Sequence, residues 1–326
     1  MRYLVNRANL TEIEALQGIA ERRDKIAIDI ETVDLENRLP LGIAVCVAPD
    51  LAYYFFDNQD PLLKELIERT ATIISHNAKY DLPILRKLEF RVYNYEDTYI
   101  LAYSNGIQEN SLANLSMSIL HKDCPSVTDQ WTEKQKSNVG IDHVEMGRIS
   151  MIHASNTYAL WETLPKPELY FNLDKPIIEL VMEMERWGLL INQYKLTQLE
   201  QGVVTRANQL KSELHQELGN INLGSNPQVL KALQLKGILG TRKTKSGKDS
   251  VSDESLKPLK NPLTDKLLRW RSEQKTISTY LPAFRAIDHK GRIHTNFGYT
   301  ETGRFKSTHP NLQNLTKNEK FIEEVE

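Results

Sequence analysis

A chain of 326 residues, 40% of them apolar, is long enough for about two domains with separate cores. Its 41 basic and 43 acidic side chains leave a formal charge of −2, so the total says little about partners and the distribution of charge has to be read instead. Two cysteines without paired spacing exclude a disulfide framework or a cysteine-based zinc site. Residues 1–25 carry scattered charge and no apolar segment suited to secretion or membrane insertion, so a soluble cytoplasmic protein without a membrane partner is expected.

In chain order, KIAIDIET (25–32), LGIAVCVA (41–48) and LAYYFF (51–56) predict three short strands separated by polar turns. The pattern PLLKELIERTA (61–71) predicts a helix, TIISHN (72–77) a strand, YDLPILRKLEF (80–90) a helix, and VYNYED (92–97) a short strand. Further helices are expected through 98–106, 111–120 and the region up to Leu164, which together make an α/β domain. Pro165 to Glu168 (PKPE) reads as a boundary, and beyond it apolar residues recur at three- and four-residue intervals through 173–188 and 192–219. Residues 240–250, GTRKTKSGKDS, are basic, glycine-bearing and nearly free of apolar side chains, which predicts a mobile tip. Helical periodicity returns over 263–284.

Basic side chains concentrate between Lys236 and Lys275, among them Arg242, Lys243, Lys245, Lys248, Lys257, Lys260, Lys266, Arg269 and Arg271. That density suits a phosphate backbone, or else a solvated helical face. In the N-terminal half, DIET places Asp29 and Glu31 on one face of a strand because side chains alternate, and two carboxylates there can bind a hard cation. HNAKYD then sets Asn77 four positions before Asp81 at the start of a helix. Near the C-terminus, residues 291–317 (GRIHTNFGYTETGRFKSTHPNLQNLTK) join a strand-like run to a glycine-arginine turn and an amide-rich tail. Amides at Gln313 and Asn314 can donate to acceptors that every base pair presents in the minor groove, and Arg304 follows a glycine that permits close backbone approach.

This last stretch resembles the start of the palm in family A DNA polymerases, through Gly291, Arg292, His294, Thr302, Gly303, Arg304, Ser307 and the run Pro310 to Asn314. MERWGLLIN (184–192) resembles the family's ME-x-x-G segment, with Asn192 where aspartate is common. INLGSNPQVLKALQLKG (221–237) resembles the approach to the thumb, and Arg271, Lys275, Thr279 and Tyr280 resemble the R-x-x-x-K-x-x-x-T-Y helix that tracks template and primer. The DIET and HNAKYD motifs, with the pair Asp97 and Thr98, resemble the DEDD proofreading exonucleases. The resemblance implies an RNase H-like α/β domain over 1–168, a mainly helical thumb over 169–288 and the beginning of a palm over 289–326. It further implies phosphodiester hydrolysis from a 3′ end with two divalent ions, Mg²⁺ or Mn²⁺, held by Asp29, Glu31 and Asp81. Asn77, Arg271, Lys275, Arg304, Gln313 and Asn314 are implied contacts to primer-template DNA and single-stranded 3′ ends.

The third exonuclease motif departs from this pattern. RISMIHASNTYALWETL (148–164) puts His153 where the family has its last catalytic aspartate, and Ile149 where it has tyrosine. An imidazole suits Mg²⁺ poorly, although Mn²⁺ or Zn²⁺ accepts it. His153 therefore reads as a solvated or core helix residue in preference to a ligand, and Mg²⁺-dependent activity is expected to be weak or absent. Asp142 and Glu145 lie nearby without supportive spacing. Palm aspartates are not identifiable in this chain, which is read as the N-terminal part of a polymerase, truncated or completed by a second chain bearing palm and fingers, in a cell's nucleoid or a phage-infected cell. A freestanding 3′-5′ exonuclease and a non-catalytic DNA-binding module are the competing readings.

Overall fold

The KIAIDIET segment is buried almost throughout, the signature of a strand covered on both faces, and it forms β1 (Lys25–Thr32) at the centre of a five-stranded sheet. The computed structural model describes residues 25–33, 38–49, 51–126, 142–244, 247, 249–300 and 302–314. With β2 (Pro40–Ala48), β3 (Leu51–Phe55), β4 (Thr72–Ser75) and β5 (Tyr95–Asp97), the sheet order is β3-β2-β1-β4-β5. β1 pairs antiparallel with β2, and β2 with β3, whereas β1, β4 and β5 run parallel. The parallel steps use helical crossovers, α1 (Pro61–Arg69) and α2 (Ala78–Lys87).

Alternation along β1 decides what each face does. Ile26, Ile28 and Ile30 join Leu63, Leu66 and Ile67 of α1 and Ile84 and Leu85 of α2 in one apolar core. Residues of the opposite parity, Asp29 and Glu31, face the other way, toward α5 (His143–Thr163), which follows α3 (Thr98–Ser104) and α4 (Leu112–Leu115) in the chain. Asp142 caps α5 by accepting from the amides of Val144 and Glu145.

The chain divides into two compact units, residues 1–182 and 183–326. Residues beyond the PKPE segment belong to the first unit because their side chains are anchored there. The hydroxyl of Tyr170 accepts from the Asp97 amide at 2.8 Å and donates to Glu96 at 2.8 Å, and Lys175 pairs with Glu96 at 2.8 Å. The division between the units falls within α6 (Lys175–Trp187).

The second unit is mainly helical. α7 (Gln193–Leu218) is capped by Asn192, whose side chain accepts from the Lys195 amide, a task asparagine performs as well as aspartate. α7, α8 (Asn226–Leu235), α9 (Asp253–Leu256) and α10 (Pro262–Lys275) share a core of Leu214, Val229, Leu233, Leu256, Leu267 and Trp270. A second cluster joins Leu199 and Val203 of α7 to Phe284 of α11 (Leu281–Arg285). Short strands complete the unit: β6 (Leu189–Leu190) pairs with β7 (Arg292–Ile293), and β8 (Asn296–Tyr299) with β9 (Phe305–Thr308). The expected mobile tip at 240–250 has, at its described residues, a built turn. Ser250 donates to the Arg242 carbonyl, and Lys243 pairs with Asp249.

Candidate metal site and nucleic-acid contacts

Asp29 and Glu31 project from β1 toward a helix whose small residues let it come close. Gly147 of α5 lies against Tyr54, where an added Cβ would sit 2.8 Å from the ring. One turn on, Ser150 donates to Asp29 Oδ2 at 2.6 Å and fixes that carboxylate. His153 then follows on the same face, with Nδ1 at 3.6 Å from Asp29 Oδ2 and 3.8 Å from Glu31 Oε1. The sequence reads His153 as a solvated or core helix residue in preference to a ligand, and in the fold helical spacing from Ser150 aims its ring at the carboxylates.

The ring's protonation follows from its partners. Nε2 lies 2.7 Å from the Pro125 carbonyl, which can only accept, so Nε2 carries a hydrogen and Nδ1 is the atom presented to Asp29 and Glu31. Burial works against the imidazolium, but the charge and hydrogen bonding of Asp29, with a further contribution from Cys124, outweigh it and raise His153 to about 11. Asp29, Glu31 and His153 offer ligand atoms that all lie within 4.8 Å of one another, the one such group among the described residues. Atoms bound about 2.1 Å from a common ion lie at most about 4.2 Å apart, so the 3.6 and 3.8 Å pairs fit one metal.

Asp81 stands outside that group. Its carboxyl accepts a short hydrogen bond from Ser75, and burial pushes it well above the usual carboxylate range, with the charge of Asp29 acting in the same direction. Asn77 adopts a left-handed conformation (φ 78°), which turns the chain from β4 into α2. Its amide and that of Ala78 both donate to Asp97, which also caps α3. Burial raises Asp97 to about 6, against those amides. Neither Asp142 nor Glu145 approaches the carboxylates as a replacement: the first is a helix cap and the second pairs with Arg148 at 2.7 Å. Ile149 is fully buried.

Tyr54 was not anticipated from the sequence. It pairs across the sheet with Ala44, which in turn pairs with Asp29, while Gly42 pairs with Glu31. The Tyr54 ring leans over Gly42, where a Cβ would lie 2.2 Å from the phenol oxygen, so only glycine admits it. Its side chain is 1% exposed, yet the hydroxyl has no hydrogen-bond partner among the described residues. Burial first, then the charges of Glu31 and Asp29, hold that phenol above its ordinary range. A glycine inside a strand was the available signal.

In the second unit, Arg304 follows Gly303 (φ 79°) in the turn between β8 and β9 and is exposed. Gln313 Nε2 donates to the Phe305 carbonyl and its Oε1 accepts from the Ser307 amide, so the side chain lies along the β9 backbone. Those two bonds use one of the two hydrogens and one of the two oxygen lone pairs of the amide, and the side chain is exposed. The Asn314 side chain, Lys245 and Lys248 lie outside the described residues.

Arg271 is a brace: it donates to the Val251 carbonyl and to Asn226, and lies 3.5 Å from Asp253, with its side chain 18% exposed. Lys275 is exposed over the ring of Tyr280. Three more residues of the basic run have acidic partners: Arg242 pairs with Glu254, Lys243 with Asp249, and Lys266 with Glu213 and Glu217 at 3.0 and 2.9 Å.

A family profile described as 3′-5′ exonuclease matches residues 7–144, and one described as DNA polymerase family A matches residues 193–325. The chain belongs to the family A DNA polymerases. It is 30% identical to the DNA polymerase I of Rhizobium leguminosarum over 79% of this chain and 28% of that protein. It is also 28% identical to that of Chloroflexus aurantiacus over 94% of this chain and 34% of the relative. The chain thus spans about a third or less of these relatives. In fold it is similar to the POL domain of Pol1 from M. smegmatis in complex with DNA primer-template and dNTP, with a TM-score of 0.75 and 20% identity over 97% of this chain and 56% of that one.

The exonuclease assignment implies divalent metal use, and the donor set of two carboxylates and an imidazole fits a metal ion. The exonuclease match ends at residue 144, so Ile149, Ser150 and His153, where the helix departs from the family motif, lie outside it. No described helix of this polymerase-family chain is long and apolar enough to cross a membrane.

Proposed function

We propose that this chain is the N-terminal portion of a family A DNA polymerase acting in replication or repair, with an exonuclease-type domain followed by a thumb and the start of a palm. The observation that carries the reading is the order of the two family matches on one chain, exonuclease before polymerase. The mixed sheet order β3-β2-β1-β4-β5, with carboxylates on its central strand, supports an RNase H-like fold for the first domain, assigned to 1–168. The thumb is proposed over 169–288, its first residues Tyr170 and Lys175 anchored on the first unit, and the palm segment over 289–326.

Primer-template DNA is the ligand of the second unit, met by Arg304 and Lys275, and single-stranded 3′ ends are the ligand of the first. Asp29 and Glu31 would hold a divalent ion, which would supply charge stabilisation for phosphodiester hydrolysis. The protein's own part is to hold Asp29 through Ser150, to keep Asp81 fixed through Ser75, and to turn Asn77 at the entrance of α2 through Asp97. His153 contributes no negative charge where the family uses an aspartate, so Mg²⁺-driven digestion is weak or absent.

No carboxylate of these 326 residues is assigned to nucleotide addition, and palm and fingers on further sequence or a second chain complete that activity. The test combines a labelled single strand with the chain and Mg²⁺ or Mn²⁺, using Asp29→Ala as control, beside a primer-template with nucleotides and a salt series for duplex binding. Salt-sensitive duplex binding with no primer extension is the expected result. Primer extension by the chain alone, or robust Mg²⁺ digestion abolished by Asp29→Ala, overturns the corresponding part.

A further inference from the structure

The cluster on β1 and α5 has features that a pair of surface acids lacks. Pro125 holds the hydrogen of His153 on Nε2, so Nδ1 is directed at Asp29 and Glu31. An imidazole whose outer nitrogen donates to a backbone carbonyl is the usual arrangement of a metal-ligating histidine, and an arriving ion would displace the proton on Nδ1 to solvent. Ser150 supplies the matching outer hydrogen bond to Asp29. Over Gly42, in the sheet row of Glu31, the buried hydroxyl of Tyr54 has no partner among the described residues, and burying such a group costs stability unless something hydrogen-bonds it. A water on an ion held by Asp29 and Glu31 would meet that need.

We infer that Asp29, Glu31 and His153 bind a single borderline divalent transition ion, Zn²⁺ or Mn²⁺, with Tyr54 facing its solvent ligand, and that Mg²⁺ is not the ion of this site. The inference rests on reading the first unit as an exonuclease-type metal domain, and it changes the chemistry of that domain. Mg²⁺ demands an octahedron of oxygens and dehydrates reluctantly, whereas an imidazole with two carboxylates suits Zn²⁺ and Mn²⁺. The separations of His153 from Asp29 and Glu31 fit one ion, and Asp81, tied to Ser75, is not among the three ligands.

The test is calorimetric titration of the whole chain with Zn²⁺, Mn²⁺ and Mg²⁺ in turn, for the wild type, His153→Ala, His153→Asp and Tyr54→Phe, each checked by circular dichroism. Zn²⁺ is expected to bind more tightly than Mn²⁺, in the order general for such ligands, and both more tightly than Mg²⁺. His153→Ala should weaken Zn²⁺ by at least about tenfold, a loss no smaller than that of an outer-shell partner. His153→Asp should lower Zn²⁺ affinity and raise Mg²⁺ affinity, and Tyr54→Phe should weaken Zn²⁺ less than His153→Ala does.

Pulsed electron paramagnetic resonance of the Mn²⁺-loaded wild type gives a readout that does not depend on a variant folding. Coupling to an imidazole nitrogen is expected, and its absence overturns the inference. Equal binding of Mg²⁺ and Zn²⁺, or Zn²⁺ affinity unchanged in His153→Ala, also overturns it while leaving an exonuclease-type metal domain standing. Binding of no ion by the wild type overturns it as well, with His153 then the standing counter-ion of the carboxylates. If His153→Asp also binds no ion, the exonuclease-type reading falls with it.

Discussion

Each of the two units carries a concentration of one charge sign suited to an opposite partner, acidic around β1 in the N-terminal unit and basic along 236–275 in the C-terminal one. The folded chain treats them differently. Asp29 and Glu31 meet a ring that arrives from more than a hundred residues away, and a buried phenol beside them is left without a partner among the described residues. Arg242, Lys243, Lys266 and Arg271 instead find acidic or carbonyl acceptors within their own unit. Charge density therefore signals a ligand only where the fold leaves binding capacity unspent. Lys257, Lys260 and Arg269 are exposed, as are Lys275 and Arg304.

Removing Asp29 is the largest way to break the comparison. Asp29→Ala deletes a direct ligand, and its effect on ion affinity should exceed the roughly 10–100-fold typical of losing an outer partner. Ser150→Ala removes only the outer bond to Asp29 and belongs near the lower end of that range, about tenfold. Calorimetry on the two variants checks the ranking, and equal losses would mean that Ser150 does more than orient the carboxylate. Gly42→Ala comes next. Its Cβ would fall 2.2 Å from the Tyr54 oxygen and 2.8 Å from the Phe55 carbonyl, so the ring and β2 must separate. A destabilisation of about 1–3 kcal/mol, typical of overpacking, should appear as faster hydrogen exchange at β1 and β2 amides.

The same mechanics explain how much was legible in the sequence. Strand and helix positions over 25–104 followed from periodicity because one sheet with helices on both faces imposes it, and the core formed by Ile26, Ile28 and Ile30 is the direct result. Asp29 and Glu31 were readable as a pair for the same reason. His153 was findable by position but not by direction, which depends on the register of α5 over β1, set by Gly147 against Tyr54. Tyr54 itself lies far from any motif, and only its neighbour Gly42 hinted at a close approach. In the second unit the helices were legible and the fate of the charges was not. Lys266 lies 53 and 49 residues from its partners Glu213 and Glu217, a pairing that only the packing of α7 on α10 creates.

Arg271 and Arg304 sharpen the contrast within the second unit. Arg271→Ala removes bonds to Val251, Asn226 and Asp253, and should cost about 1.5–3 kcal/mol of stability, the range for hydrogen bonds to a charged group. It should leave the salt dependence of duplex binding as it was. Arg304→Ala should behave in the opposite way, with unchanged stability and a salt slope reduced by about 1 if the guanidinium meets a phosphate. Thermal melting and a salt series on both variants decide it. A slope change at Arg271 in place of Arg304 would reverse the assignment of brace and contact.

The smallest expected effect bears most directly on why the basic run is quiet. Lys266 sits on α10 between two glutamates of α7, both more exposed than itself. Neutralising them as Glu213→Gln and Glu217→Gln removes two negative charges and frees the ammonium, while exposed pairs of this kind contribute little to stability. Duplex affinity should therefore rise by a few-fold at low salt, and the slope of log affinity against log salt should steepen by about 0.9 if Lys266 reaches a phosphate. Loss of negative charge without a new phosphate contact would raise affinity with the slope unchanged. Unchanged affinity would mean that the α7–α10 surface faces away from nucleic acid and that its ion pairs serve only the thumb-like core.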